Sequence, residues 1–355
     1  MLLDMLLLVL GLSIVAVTLY DLAATTISVS TVRGPLSTRV SEVVWWLSQR
    51  TGGTRLSTLQ RASGPLLLLL ITVGWLLSLT LGWSLVFSME GALAQSAEPE
   101  QQGSSIRWVD SVFFVFGNLI GRGSSELSPD EVVWSSLESA MAVTGVGLLT
   151  LSLAWIIPVV AAVVDQRKVA AKLSAMGATP QDIVLRSWNG RDLGDLNLHL
   201  LPLIDDLALL AQRHLAYPVI HYFHSSDGRT AIGARIAALD EALTIIEAAG
   251  LDDVERGTGL DGSTTRPLRQ AVSDYLDTLD VVFISDCDAP RPPSVDRVVA
   301  GGVAGADLPE RVQDLCGRLT TRRARLHGYV LHDGWCWDDL DSVSSSATAE
   351  RERSG

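Results

Sequence analysis

The chain has three cysteines, Cys287, Cys316 and Cys336, all in its C-terminal half. Their spacings match no metal motif and an odd number cannot pair off completely, so we expect reduced cytosolic thiols rather than a disulfide framework. Basic residues are also short, 27 against 40 acidic, giving a net charge of −13 and a pI near 4.9. That balance argues against nucleic-acid binding. The N-terminus, Met1-Leu2-Leu3-Asp4, has no Lys or Arg ahead of its apolar run. A secretory signal peptide would have a basic n-region and a small-residue cleavage site. No apolar run carries arginine at every third position, so a voltage sensor of the usual type is absent. No Gly-x-Gly-x-x-Gly follows a strand pattern, so a nucleotide-binding Rossmann gate is unsupported. No nucleophile–base pair appears, and the adjacent acids Asp205 and Asp206 fall in a helical surface pattern, so we do not expect an enzyme. No internal repeat is visible.

What the chain does have is clustered apolar sequence. Its 48% hydrophobic content and mean hydropathy of +0.30 decide little by themselves. Leu6–Tyr20, Leu66–Phe87 and Ala140–Val164 are each nearly free of charge, while the remainder reads as polar. Runs of about 18 or more apolar residues are long enough to span a bilayer, which predicts three transmembrane helices. Asp21 stands near the end of the first. It is either solvated at the cytoplasmic interface, where Arg33 could pair with it, or a functional group inside a span.

Charge sets the orientation. Residues 30–63 hold Arg33, Arg39, Arg50, Arg55 and Arg61 against Glu42 alone, whereas 90–131 hold seven acids and only Arg107 and Arg122. Arg167, Lys168 and Lys172 follow the third run directly, and residues 165–355 carry 20 basic and 29 acidic side chains. The positive-inside rule then puts the N-terminus outside, 30–63 inside, 88–132 outside and the C-terminal domain inside. Within 30–63, Ser41–Ser48 with Trp45 and Trp46 suits an interfacial helix.

The chain is organised around 104–164. Ile106–Asn118, with Ser104 and Ser105 as caps, places Trp108, Val109, Val112, Phe113 and Phe116 at helical spacing. Thirteen residues rise about 20 Å, too short for a core of about 30 Å. A half-length helix needs protein or water around its last carbonyls, and its negative end favours cations. Leu119-Ile120-Gly121-Arg122-Gly123 follows. Ser128-Pro129-Asp130-Glu131 reads as a capping box opening the third span. Gly145, Gly147 and Pro158 lie along that span, as bending points or, for the glycines, as sites of close helix packing.

Outer helix, half-helix, Gly-x-Gly turn and inner helix resemble the pore module of the two-transmembrane potassium channels. More closely, the chain is similar to a group of bacterial potassium-channel-like proteins over most of 1–340. The shared features are Tyr20-Asp21-Leu22, Thr25-Thr26, Gly34-Pro35-Leu36-Ser37-Thr38-Arg39 and the run His214–Val219. The resemblance implies a selectivity filter at Leu119, Ile120, Gly121, Arg122 and Gly123, with a monovalent cation, K+, coordinated by backbone carbonyls and no other cofactor. Alternating positive φ at Gly121 and Gly123 would aim those carbonyls. One such loop per chain implies a homotetramer. The family's threonine is here Leu119, its tyrosine Arg122 and its aspartate Ser124. Filter support would come from Asn118, Asp110, Glu126 and Glu138, the three acids being candidate partners for a semi-buried Arg122. Gly145, Gly147 and Pro158 would form the gating hinge.

The expected fold is therefore an all-α membrane protein. It comprises an N-terminal transmembrane helix (1–29), a cytoplasmic linker (30–63), a pore module (64–164) and a cytoplasmic helical domain (165–340). A disordered tail (341–355) completes it. The pore module divides into outer helix 64–88, pore helix 106–118, filter 119–124 and inner helix 129–164. In the helical domain, Thr179-Pro180-Gln181-Asp182 starts a helix. Apolar periodicity marks 193–223, 230–249, 268–284 and 308–331, with breaks or kinks at Pro202 and Pro218. His199, His214, His221 and His224 invite a metal, but only His221 and His224 have ligand spacing, so packed or surface histidines are expected. Arg322-Arg323-Arg325 reads as a solvated face or a contact for anionic lipid, and Trp335–Asp339 as a docking edge. Expected partners are further copies of the chain, the bilayer, a permeant cation and a cytoplasmic ligand or partner, with no nucleic acid. The rival function is a non-conducting membrane scaffold or sensor that signals through the helical domain.

Overall fold

A computed structural model describes residues 2–27, 34–50, 58–89, 92–95, 108–123, 127–129, 131–252, 260, 262–280 and 287–340. Expectations for Arg33, Ser104, Ser105, Ser124, Glu126 and the 341–355 tail lie outside those residues. The described chain is helical apart from one two-residue ladder, in which β1 (Ala94–Gln95) pairs antiparallel with β2 (Leu127–Ser128). Two compact units emerge, Met1–Gln49 with Pro65–Val159, and Arg50–Gly64 with Val160–Gly355.

The first unit is built on helices α1 (Leu2–Thr26), α2 (Pro35–Arg50), α3 (Thr58–Phe87), α4 (Trp108–Leu119) and α5 (Val132–Met176), α3 and α5 continuing into the second. Helices α1, α3 from Ala62 and α5 are long and apolar enough to cross a membrane. Exposed Leu6, Leu77 and Leu153 on them are what a lipid-facing surface requires. Small residues let α1 and α3 meet: a Cβ on Gly11 would stand 2.6 Å from the Gly82 carbonyl oxygen. Between α3 and α5, Trp75 packs against Trp155 with ring centroids 5.8 Å apart and planes tilted by 59°, and the Trp83 indole N–H donates to Thr144 Oγ1 at 3.1 Å.

Two boundaries differ from expectation. Ser128 does not cap α5: it pairs with Ala94 in the ladder, four positions before the helix begins. The helix starts at Val132, and Glu131 supplies the first carbonyl, to the Ser135 N–H at 3.0 Å. At the other end α5 runs past Val164 to Met176. Hydropathy ends at Asp165, but no helix breaker stands between there and Gly177.

The second unit centres on α8 (Ile232–Ala249), of whose residues only Glu247 is not buried. Around it lie α6 (Pro180–Ser187), α7 (Leu196–Ala216), α9 (Gly262–Asp280), α10 (Asp296–Ala300), α11 (Leu308–Arg318) and α12 (Thr320–His332). Thr179 caps α6, its hydroxyl accepting the Asp182 N–H at 3.1 Å. Pro202 does not interrupt α7: it lies on an exposed face, where water can satisfy the carbonyl it frees. Pro218 does end the helical run, opening a 3₁₀ turn at Pro218–Tyr222.

Arg322 and Arg323 are not a solvated face. Arg323, 2% exposed, makes a two-point pair with Glu241, 1% exposed, at 2.7 and 3.2 Å. Arg322 clasps the buried Asp240 carboxylate at 2.6–3.0 Å. Arg325 pairs with Asp277 at 2.6 Å. Buried charges persist only when paired, and here each basic residue of the run has its acid.

Candidate pore loop and the carboxylate of the first helix

Helix α4 is amphipathic and one face of it is held by protein. Phe114 packs edge-on against Phe87 at 5.4 Å, and the Ser111 hydroxyl donates to the Phe87 carbonyl at 3.3 Å. Phe113 and Trp108 are exposed. The helix closes in a Schellman motif. The Gly121 N–H donates to the Asn118 carbonyl at 3.1 Å, and the Arg122 N–H to the Gly117 carbonyl at 2.8 Å. Gly121, at φ +77°, is the left-handed residue that this closure requires, and Gly123 follows at +71°.

The five residues expected to act together thus divide. Leu119 is the last residue of α4 with its side chain 2% exposed, whereas Ile120, Gly121, Arg122 and Gly123 are exposed. In the single chain the Arg122 side chain is exposed. Asn118 turns back on its own helix, its Nδ2 donating to the Phe114 carbonyl at 3.0 Å. Asp110 stands in the first turn of α4, and Glu138 near the start of α5.

Gly145 lies where α5 meets this loop: a Cβ there would stand 2.3 Å from the Leu119 carbonyl oxygen and 2.8 Å from its Cα. The obstacle is backbone, which cannot rotate away. Gly147 has open space, and Pro158 sits inside α5 without ending it. Gly145→Ala should therefore lose roughly 1–3 kcal/mol from overpacking, while Gly147→Ala loses nothing. Thermal unfolding of the two variants in detergent checks the contrast; equal effects would contradict it.

Asp21 is neither solvated nor at a surface. It is fully buried, and four donors meet its carboxylate. The backbone N–H of Leu36 donates at 2.7 Å and that of Ser37 at 3.2 Å, the Ser37 hydroxyl at 2.5 Å and the Trp75 indole N–H at 2.6 Å. The sequence of α2 explains why. Pro35 has no N–H to lose, and Gly34 has no side chain to cap Leu36 and Ser37, so the acceptor is supplied from α1. A carboxylate also complements the positive end of the helix. Glycine at 34 is required by closeness, since a Cβ would lie 2.0 Å from Asp21 Oδ1. Thr25 joins through its hydroxyl, 2.7 Å from that of Ser37. The Tyr-Asp-Leu, Thr-Thr and Gly-Pro-Leu-Ser segments are one site.

In the second unit, His332 joins the histidines singled out above. Its ring lies 3.9 Å from that of His221, tilted by 32°, and 5.9 Å from that of His224. Stacked rings do not aim their nitrogens at one point. Among the described residues, no group of three or more His, Cys, Asp or Glu could hold a metal. Burial pushes His214 down to about 4 and His332 to about 3. Burial, then the neighbouring histidines, hold His221 well below its usual value. His214 packs edge-on against Tyr275 at 5.3 Å, and His199 is exposed on α7.

No family model matches the chain, and no solved structure does. The chain is 26% identical over 338 residues to a Bacillus subtilis (strain 168) protein named "Uncharacterized membrane protein YdjJ". The alignment covers 95% of this chain and 96% of that one. With three helices apolar enough to span, the similarity supports a membrane protein.

Proposed function

We propose that the chain is the subunit of a tetrameric, potassium-channel-like cation channel of the bacterial inner membrane, with a divergent filter at 119–123. The observation that carries the proposal is α4. It is a 12-residue helix, held by Phe114 and Ser111 on one face, that stops at two glycines of positive φ and exposes Ile120–Gly123. A backbone loop exposed at membrane depth needs protein or a water-filled cavity around it. Three further copies about a four-fold axis would supply both. The carbonyl end of α4 then points its negative pole toward the permeating cation. Charge asymmetry orients the assembly with the N-terminus outside and the helical domain inside. In this reading Gly147, in open space, and Pro158 are where the inner helix bends, while Gly145 is a packing contact.

One observation favours the second reading, a scaffold or sensor that does not conduct. The Leu119 carbonyl faces Gly145, and Gly121 closes a helix instead of continuing an extended run of carbonyls. Replacing Leu119 with Thr and Arg122 with Tyr together separates the two. In a divergent filter the pair restores family residues and raises the K+ over Na+ preference of reconstituted protein. Unchanged selectivity and unchanged stability would contradict the register.

A further inference from the structure

An open cleft of about 460 Å³ lies within the second unit, where the last turns of α5, the end of α6 and the first half of α7 converge. Its volume falls in the range of small-molecule sites, roughly 300–1,000 Å³. Lys172, Arg186 and His199 line it with Met176, Leu198 and Leu203. Leu203 is buried, whereas Leu198 is 64% exposed, a large apolar side chain held at the cleft in open solvent.

Among the described residues, no acid lines the cleft. Asp206 lies 2.5 Å from Lys172 Nζ and partly neutralises it. Arg186, exposed at the end of α6, has no ion-pair partner among the described residues. In a chain of net charge −13, a guanidinium without a carboxylate partner at a cleft attracts anions. The apolar side chains reward a ligand that also carries hydrophobic surface.

We propose that this cleft binds an anionic amphiphile, a carboxylate or phosphate ester with an apolar body, its charge on Arg186 and Lys172 and its body against Met176, Leu198 and Leu203. Such an anion could be a soluble metabolite or a lipid headgroup with the upper part of its chains. Lys172 and Met176 belong to the same unbroken helix as the third candidate span. If the channel reading holds, the ligand acts on the inner helix directly; binding itself does not depend on that reading.

The test is calorimetric titration of the full chain in discs of zwitterionic lipid, with empty discs subtracted. The probes are naphthoate and its neutral counterpart naphthol. Naphthoate should bind saturably, naphthol about tenfold more weakly or worse, and Arg186→Glu should weaken naphthoate by about tenfold, the loss of one charge-assisted contact. Arg186 and Leu198 are exposed, so Arg186→Glu and Leu198→Asp leave the fold intact and each should reduce binding. Repeating the titration in discs containing phosphatidylglycerol separates the sources: weaker naphthoate binding assigns the site to lipid headgroups, unchanged binding to a soluble anion. Equal affinity for naphthoate and naphthol, no saturable binding, or full binding by Arg186→Glu would overturn the proposal. No ion flux enters the measurement, so its failure is distinguishable from failure of the channel reading.

Discussion

Replacing Asp21 with alanine should cost about 3–5 kcal/mol. The carboxylate is the acceptor for two backbone N–H groups, one indole N–H and one hydroxyl. A buried donor left without an acceptor costs about 1–3 kcal/mol, and the hydroxyl can turn elsewhere. Asp21→Asn keeps one acceptor oxygen and should lose less. Ser37→Ala removes only the hydroxyl and should lose about 1 kcal/mol. Thermal unfolding in detergent, with protease sensitivity of α2 as a second readout, orders the three variants. Asp21→Ala within about 1 kcal/mol of the unsubstituted chain would show that the carboxylate does not hold α2.

Arg323→Met is expected to be as costly, about 3–5 kcal/mol, because it strands a buried carboxylate. It also removes the donor to the Pro290 and Arg291 carbonyls, at 2.9 and 2.8 Å. The loss should depend on pH. Burial already pushes the Glu241 carboxyl up to about 7, with Arg323 holding it down. A carboxyl whose folded value is raised contributes stability below its unfolded value, near 4.5, and loses that contribution as pH rises through the folded value. Removing Arg323 raises the folded value further. The variant's deficit therefore grows above pH 7 and shrinks below it, where the proton neutralises the stranded charge. Arg323→Met with Glu241→Leu should recover most of the loss. Denaturant unfolding of the full chain on both sides of pH 7 reads this; a deficit independent of pH would contradict the pairing.

The helices were legible wherever apolar periodicity and caps coincide. Thr179-Pro180 opens α6, and the half-length α4 and the stop at Pro218 fall where composition puts them. What misled was local reasoning about residues whose partners are distant. Ser128-Pro129-Asp130-Glu131 fits a capping box, yet Ser128 pairs in a ladder with Ala94, 34 positions earlier, and the helix begins only at Val132. Arg322 and Arg323 look like surface residues on α12 alone; their acids sit on α8, 82 positions away. The signal for them is Asp240-Glu241 in the middle of a mostly apolar helix, which must be paired. Asp21 had a signal too. Gly34-Pro35 begins a helix with no side chain able to cap it, and an acid in an apolar run is the complement such a helix lacks. The ends of α5 were misplaced because hydropathy reports where lipid contact stops, not where helix stops.

We propose that four copies of α4 and its loop enclose a path for cations. Purified full-length protein, confirmed as a tetramer by native mass spectrometry, is reconstituted into liposomes loaded with K+, and dye-reported monovalent cation flux is measured against empty liposomes. Flux above the empty control is the expected result. Intact tetramers that pass no monovalent cation would contradict it and leave the scaffold reading in its place.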